Sequence, residues 1–420
     1  MHKLLTKITS NTLMRGSAIV FVGSMISNIG SYLYHLFAGR ILGPVGYGEL
    51  SSLISLLYIF GVPMVVLQTV LTKYFSECKA GNARGEAKDL YFRMVKILVK
   101  ITCISCIVFI MLIPLLGSFL NLTTPRSLLW IFLIFVVSIF TAVNLSVLQG
   151  FQLFLWVSVF SSVGMFLKLS ISTPLAWFGV EWTMIGTGLA AFITLGLLYF
   201  PMRFIFTAAR KPFPLTKKSL ILFSIPTFIS LLGLTSLYSM DIVLVRHFLT
   251  PQEAGLYSAI ATLGKVIFYA SSAIVTVLFP VLSERSVKKE PIGKIFVVAL
   301  GLVCAISIGI TFIYFIKPAL VIHLLFGSSY SGAALYLGYF ASFISLYSLG
   351  NVFVLACLAI NRLSIWFITV CAAITQIVFI SFFHHSIMEV ISVNIGVTFL
   401  FAVSAFLYYM YSKTSSIQSA

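Results

Sequence analysis

Lys265 is the residue whose position in the sequence most strongly suggests a chemical role. It lies about eleven residues, or about 16 Å at 1.5 Å per residue, from the start of a long apolar segment near residue 254. If that segment crosses a membrane, an ammonium group at this depth costs several kcal/mol unless it meets water, a carboxylate or an anionic ligand. The sequence therefore leaves two interpretations, a lysine that faces a polar cavity or a lysine in a buried ion pair.

Lys265 belongs to a stripe of polar residues on one predicted helix. Its members are Ser258, Thr262, Lys265, Tyr269, Ser272 and Thr276. Intervals of three and four residues place these side chains on one helical face. Shorter stripes comprise Ser51, Ser55 and Tyr58; Ser24, Asn28, Ser31 and His35; and Thr227, Ser230, Tyr238 and Asp241. Serine and threonine also pack between membrane helices, but four polar faces in apolar segments predict a shared water-filled cavity.

A few other charged residues lie in or beside apolar segments. Lys168 is a second lysine that could reach the predicted cavity, although its long side chain could also extend to the membrane surface. Asp241 is the only acidic residue clearly inside a predicted span, and Glu49 begins another, so Asp241, Glu49 and Arg246 are the candidates for ion coupling or an ion pair. Asp241 either pairs with Arg246, about one turn away, or takes part in ion or proton coupling.

The cysteines do not indicate a metal or redox site. Cys103 and Cys106 form a CxxC pair, but no second pair or histidine accompanies them in that segment. We interpret them as small apolar packing residues. No metal site and no cofactor are expected.

The composition predicts an all-α membrane protein. Hydrophobic residues make up 60% of the 420-residue chain, charged residues 9%, and the mean hydropathy is +1.10. Apolar runs of about twenty residues, rather than alternating short strands, indicate helices that span a bilayer. The twelve predicted spans are 16–39, 47–72, 97–120, 127–148, 153–178, 183–206, 220–245, 254–281, 295–317, 331–359, 363–383 and 388–411.

The distribution of Lys and Arg predicts the orientation of these spans. With the N-terminus in the cytoplasm, the cytoplasmic segments carry 21 Lys and Arg residues and the opposite side carries four. Such an excess is typical of cytoplasmic segments. It predicts that both termini are cytoplasmic, and it accounts for most of the net charge of +17 without a nucleic-acid partner.

The chain contains an internal repeat with an offset of 207 residues. Leu42, Pro44, Gly48 and Ser51 correspond to Leu249, Pro251, Gly255 and Ser258, and the letters TVL at 69–71 recur at 276–278. The repeat predicts two six-helix lobes, 1–208 and 209–420, joined by ARKPFPLTKK. Because six is an even number, both lobes enter the membrane from the same side, as in one class of secondary transporters. A cleft between two such lobes could open to either side in turn.

Three stretches of the sequence resemble a known family. They are GRILGPVGYGEL, SMDIVLVRHFLTPQEAGLYSAIATLGKV and TVLFPVLSE. These stretches are similar to the Wzx-type oligosaccharide flippases of the polysaccharide transporter family, within the multidrug/oligosaccharidyl-lipid/polysaccharide (MOP) superfamily. The resemblance implies a MATE-like fold and a non-enzymatic function.

The resemblance also implies a function and a location. Such a protein moves a polyprenyl-diphosphate-linked oligosaccharide across the inner, cytoplasmic membrane by alternating access, for O-antigen, capsule or exopolysaccharide assembly. Its partners would be the lipid-linked glycan, membrane lipids, a glycan polymerase and other assembly proteins. A proton, a sodium ion or the membrane potential would drive transport. In the predicted cavity, lysine side chains could bind the diphosphate, and hydroxyl and amide groups could form hydrogen bonds with sugar hydroxyls.

Two other functions stay open from the sequence. A MATE-like drug/cation antiporter would be expected to present acidic residues in its N-terminal lobe, and the first predicted span contains none. A membrane glycan polymerase or ligase would need a large outer loop, whereas the predicted outer connections are short.

Overall fold

The computed structural model describes residues 12–213, 218–287, 291–360 and 362–418, and these residues are helical or lie in turns. The helices are α1 (Thr12–Ala80), α2 (Arg84–Phe119), α3 (Ser127–Gly150), α4 (Phe154–Leu175), α5 (Val180–Leu198), α6 (Arg203–Phe206), α7 (Lys218–Phe248), α8 (Pro251–Val287), α9 (Gly293–Ile316), α10 (Pro318–Leu325), α11 (Ala334–Ala359), α12 (Trp366–Phe382) and α13 (Ile387–Gln418). Short 3-10 turns lie at Ala176–Phe178, Ser328–Ala333 and Leu363–Ile365.

Eleven helical stretches in this part of the chain are long and apolar enough to cross a membrane. The first, Ile19–Ala80, has 62 residues, about 93 Å at 1.5 Å per residue, or about three times the hydrocarbon thickness. It is interrupted at Gly43, whose φ of 65° is left-handed and rarely adopted by other residues. It therefore holds two predicted spans, 16–39 and 47–72, and the twelve-helix prediction is confirmed.

Helix starts in the two halves follow the sequence repeat. Ser127 and Ala334, which begin α3 and α11, are 207 residues apart, and so are Val180 and Ile387, which begin α5 and α13. Several helices extend beyond the predicted membrane segments. α2, for example, begins at Arg84, whereas the predicted span began at residue 97.

The described chain forms two compact units. The first comprises Met1–Ile41 and Pro63–Ser224, and the second comprises Leu42–Val62 and Ile225–Ala420. In the first unit α5 packs against α3 and α4, and in the second α11 packs against α8, α9 and α13. A large part of the core of the first unit surrounds Phe75, Leu90, Val147 and Ile205, which are fully buried.

The proline of each repeat copy stands where a helix begins or changes direction. Thr250 and Glu253 form a capping box at the start of α8, because the Thr250 N–H donates to Glu253 Oε2 (3.1 Å) and the Glu253 N–H donates to Thr250 Oγ1 (3.3 Å). Pro251 occupies the first helical position, where its missing N–H costs nothing. In the earlier copy, Pro44 directly follows the break at Gly43.

The two repeat copies also contact each other through backbone atoms. A Cβ atom at Gly255 would overlap the carbonyl group of Pro44, and one at Gly48 would lie 2.8 Å from the Gly255 backbone nitrogen. Both positions therefore require glycine for this close approach. This contact helps to explain why residues 42–62 belong to the second compact unit.

The linker after α6 is held to the first unit by Asp89. This buried carboxylate accepts hydrogen bonds from Arg210 Nε (2.8 Å) and from the Phe213 N–H (3.1 Å), and it also pairs with Arg93. The compact units thus differ from the predicted lobes in two places, since the first unit ends at Ser224 rather than at residue 208 and residues 42–62 join the second. The lobe division at residue 208 remains a prediction based on the repeat.

Candidate functional site

A cavity of about 400 Å³ with a mixed apolar and polar lining lies within the first unit. Its polar lining residues are Ser27, Asn28, Ser31, Ser138, Thr141, Ser161, Lys168, Thr187 and Thr194. The structure therefore brings the predicted residues Asn28 and Lys168 together in one cavity. Among the described residues that line it, Lys168 is the only charged one and none is acidic.

Lys168 is positioned by a buried tyrosine. Its Nζ atom lies 4.0 Å from the centre of the Tyr34 ring, a distance at which a cation is attracted to the ring face. The Tyr34 hydroxyl lies 3.5 Å from Thr187 Oγ1 and 3.4 Å from Ser172 Oγ. Ser172 in turn donates to the Thr183 carbonyl oxygen at 2.7 Å. This network orients the lysine at the cavity wall.

Lys265 lies in a cluster of tyrosines in the second unit. Its side chain is only 7% exposed, and its Nζ atom lies 5.1 Å from the centre of the Tyr238 ring and 5.5 Å from that of Tyr58. Tyr269, half-buried, is within hydrogen-bonding reach of the Tyr58 hydroxyl. The Lys265 ammonium makes no hydrogen bond or ion pair with the described residues, although Asp241 attracts it electrostatically. Its donors are therefore available to a ligand or water.

Asp241 ends a chain of hydrogen bonds through the core of the second unit. The Tyr257 hydroxyl donates to Asp241 Oδ2 at 2.6 Å, and Asn394 Nδ2 donates to the Tyr257 oxygen at 2.9 Å. Gln376 Nε2 then donates to Asn394 Oδ1 at 2.8 Å. All four side chains are fully buried. Asp241 Oδ1 has no hydrogen-bond partner among the described residues, so this carboxylate is incompletely satisfied.

Glu49 and Arg246, two of the three residues predicted to take part in coupling or an ion pair, form an ion pair in the second unit. Glu49 Oε2 lies 3.6 Å from Arg246 Nη2, and both side chains are 1% exposed. Pairing of Arg246 with Asp241 stays one of the two interpretations of the sequence beside this pair. A turn brings Glu49 close to the end of α7, although the two residues are far apart in sequence. The pair joins Leu42–Val62 to the rest of the second unit.

Two residues of the predicted stripe on α8 contact other groups of the second unit. Thr262 donates to the Ser258 carbonyl oxygen (3.0 Å) and lies 2.6 Å from the Tyr47 hydroxyl, while Ser258 itself is 1% exposed. Within the stripe, Ser258 is therefore buried, Thr262 is half-buried, and Lys265 and Tyr269 lie in the tyrosine cluster. The side chain of Thr276 lies outside the described residues. Ser24 is exposed and is not among the residues that line the cavity of the first unit.

Sequence reasoning missed several cavity residues. Ser161, Thr187 and Thr194 line the cavity from α4 and α5. Thr187 and Thr194 are seven residues apart, or about two helical turns, so their common face could have been found from spacing. Ser138 and Thr141 line the cavity from α3.

Side chains that could bind a metal are dispersed in the described part of the chain. No three or more His, Cys, Asp or Glu side chains come together there. Cys103 is exposed and Cys106 is half-buried, both as free thiols.

Comparison with solved structures shows the class of protein that this fold defines. The chain is similar to the lipid II flippase MurJ in an inward closed conformation, with a TM-score of 0.72, 13% identity, and coverage of 94% of this chain and 87% of that one. It is also similar to an inward-facing MATE family multidrug transporter (TM-score 0.67, 15% identity, 96% and 99% covered). A MOP superfamily transporter from Pyrococcus furiosus gives a TM-score of 0.64 at 17% identity, with 96% of each chain covered. The chain therefore has the fold of MOP transporters and is a multi-pass membrane protein.

The sequence comparison identifies the family. The profile described as polysaccharide biosynthesis protein matches residues 13–286, and the chain belongs to that family. A comparison with curated proteins found no match. The family resemblance predicted from the turn motif and the α8 segment is thereby confirmed.

Proposed function

We propose that this protein is a flippase that moves a polyprenyl-diphosphate-linked oligosaccharide across the cytoplasmic membrane by alternating access. The family and the MOP fold support membrane transport linked to polysaccharide biosynthesis. The substrate is inferred from the site. A lipid-linked glycan combines an anionic diphosphate, hydroxyl-rich sugars and an apolar tail, and it needs a different environment for each part.

The observation that carries the proposal is the buried Lys265 ammonium. It is 7% exposed, stands between two tyrosine rings and makes no ion pair with a described carboxylate. Burial of a cation costs free energy because the cation loses its hydration. An anionic ligand that contacts the ammonium would compensate for that loss. A diphosphate group, with several acceptor oxygens, matches the three donors of an ammonium.

The first-unit cavity favours this substrate over an organic cation. Its lining combines one lysine with hydroxyl and amide groups, and none of its described residues is acidic. A cation would therefore meet repulsion from Lys168 without a compensating carboxylate. The experiment must therefore distinguish a flippase from a drug/cation antiporter, which is the competing function.

The proposal is tested by locating the lipid-linked glycan in a strain that lacks this protein. Sealed right-side-out vesicles are treated with periodate, a membrane-impermeant reagent that oxidises the vicinal diols of sugars. We expect the oxidised fraction of lipid-linked glycan to fall to background in the deletion strain and to recover when the gene is restored. An unchanged leaflet distribution, together with greater sensitivity to cationic dyes, would favour the antiporter.

We also infer that both termini lie in the cytoplasm, because of the Lys and Arg asymmetry. Single cysteines provide the test. An impermeant maleimide should label Val45→Cys, Thr124→Cys and Gln252→Cys from outside, but not Ala83→Cys, Phe213→Cys or Lys288→Cys. External labelling of Ala83→Cys would show that the inferred orientation is wrong.

We further propose that Asp241 couples transport to a proton or a sodium ion. Its Oδ1 atom lacks a hydrogen-bond partner among the described residues, although the residue is fully buried. A bound proton or small cation would satisfy this oxygen. A glycan polymerase and other assembly proteins are the proposed partners after transport.

A further inference from the structure

The start of α2 holds a dense group of charged residues outside the two candidate sites. The Asp89 side chain is only 6% exposed, and each of its oxygens meets an arginine. Arg93 Nε lies 2.6 Å from Asp89 Oδ2, and Arg210 Nε lies 2.8 Å from Asp89 Oδ1. Two guanidinium groups thus share one buried carboxylate, so the three side chains together keep a net positive charge.

Each of the two arginines keeps donors available. Both approach Asp89 most closely through Nε, and neither makes a hydrogen bond or ion pair with any other residue that the structure describes. Their side chains are 39% and 53% exposed, so each can also contact an anion outside the protein. The Arg210 guanidinium lies over the Phe92 ring, with Cζ 5.9 Å from the ring centre. Two such planar groups match the oxygens of a phosphate.

The surrounding chain adds further positive charge. Residues 84–93 and 203–213 together contain six Lys or Arg residues and two acidic ones, Glu86 and Asp89. Lys88 Nζ donates to the carbonyl oxygens of Phe206 (2.8 Å) and Ala208 (3.0 Å) rather than to a carboxylate. The excess of positive charge outweighs the two carboxylates and attracts an anionic partner.

Exposed aromatic rings indicate that this basic surface lies at a membrane interface. Phe92 is exposed beside Arg210, and Phe200 is exposed beside Arg203, whose Cζ lies 4.9 Å from the ring centre. Beyond this level, residues 101–119 of α2 include no charged residue and measure about 28 Å, close to the hydrocarbon thickness of about 30 Å. Aromatic rings between an apolar span and a group of cations are typical of the level of the lipid head groups.

We propose that Arg93 and Arg210 bind the phosphate of an acidic phospholipid, whose acyl chains lie along the exposed apolar side chains of α2. These side chains include Ile97, Ile101 and Ile104. The net positive charge of the two arginines and their shared carboxylate matches the single negative charge of a phosphodiester. A zwitterionic phospholipid would add an ammonium group that the surrounding cations repel, and a free phosphate would leave the apolar side chains uncovered.

A bound phospholipid would join two parts of the first unit. Arg93 belongs to α2 and Arg210 belongs to the linker after α6, so one phosphate would contact both. Neither arginine belongs to the two candidate sites. Phospholipid binding therefore does not depend on the proposed transport function, and its test requires no transport.

Photocrosslinking in vesicles tests the site. The full-length protein is reconstituted in phosphatidylcholine that contains a small fraction of a probe, either phosphatidylglycerol or phosphatidylcholine with a diazirine in one acyl chain. Peptide mass spectrometry after chymotrypsin digestion locates the labelled residues. Because two arginines attract only the acidic lipid, phosphatidylglycerol should label residues 92–104 about tenfold more than the phosphatidylcholine probe does.

Substitutions show whether the arginines cause this preference. Arg93→Gln/Arg210→Gln removes both charges and should lower labelling by phosphatidylglycerol about tenfold. Lys73→Gln/Lys294→Gln is the matched control, because it removes the same charge from two exposed lysines elsewhere and should leave labelling unchanged. If the glutamine variant does not accumulate, Arg93→Lys/Arg210→Lys keeps the charges without the planar groups and should lower labelling about threefold.

Competition at constant ionic strength separates a phospholipid from other phosphates. Excess unlabelled phosphatidylglycerol should suppress the labelling of residues 92–104, whereas inorganic phosphate and farnesyl diphosphate should not. Suppression by either of these two compounds would overturn the phospholipid site and assign it to a free phosphate or to an isoprenoid diphosphate. Equal labelling by both probes, or labelling that the arginine substitutions leave unchanged, would also overturn it.

Discussion

Lys265→Ala is expected to abolish glycan export while the amount of protein in the membrane stays unchanged. The ammonium is nearly buried, it faces the rings of Tyr58 and Tyr238, and it has no ion-pair partner among the described residues. If it donates two charge-assisted hydrogen bonds to the diphosphate, its loss should lower export about 100-fold, equivalent to about 3 kcal/mol. The periodate assay measures this loss, and immunoblotting measures the protein.

Two further substitutions separate charge from packing. Lys265→Arg keeps a cation in the tyrosine cluster and should retain part of the export, whereas Lys265→Met keeps most of the volume and should be as inactive as alanine. Lys317→Ala, at an exposed lysine, is the matched control and should transport normally. Normal export by Lys265→Met would contradict the proposed contact between Lys265 and the diphosphate. Loss of the variant protein from the membrane would instead indicate a structural role for Lys265.

Asp241→Asn is expected to remove the dependence of export on an ion gradient while equilibration of the substrate between leaflets continues. Asparagine has nearly the same shape and can still accept the Tyr257 hydrogen bond, but it can neither gain a proton nor offer a charge to a cation. A membrane potential of about 100 mV supplies about 2.3 kcal/mol per charge, enough for about a 50-fold concentration difference. Reconstituted vesicles with and without an imposed gradient measure this difference.

The controls for Asp241 lie elsewhere on the same unit. Glu253→Gln changes a carboxylate in the capping box of α8, away from the Asp241 network, and should leave gradient-driven accumulation unchanged. Full gradient dependence in Asp241→Asn would place coupling at another residue. Comparison of proton and sodium gradients in the unmodified protein then identifies the ion.

The helical membrane architecture could be predicted from the sequence because it depends on local properties. Lipid requires each span to satisfy its own backbone hydrogen bonds, so a long apolar run predicts a helix directly. The repeat could be found in the sequence for a related reason. Pro44 and Gly48 lie near a helix start, and Pro251 and Gly255 have the same local role in the second copy. The family was predictable because these residues form a recognisable stretch.

Helical spacing predicted parts of the candidate site but not its organisation. It pointed to polar faces at Asn28 and Lys265, because residues three or four apart share one side of a helix. It could not show that Ser258 would be buried and Thr262 would contact Tyr47, while Lys265 would stand between tyrosine rings. The direction in which a polar face points depends on which helix covers it.

Only the tertiary structure determined the partners of the buried charges. Glu49 pairs with Arg246 across almost 200 residues of sequence, and Asp241 meets Tyr257, Asn394 and Gln376 from three other helices. Such contacts follow from the way in which helices pack, and helix packing in a membrane depends on small local details such as the close approach at Gly255. The sequence by itself determined a twelve-helix protein with an internal repeat and an unusual central lysine. The packing decided which polar groups are satisfied within the protein and which, like Lys265, keep donors available for a ligand.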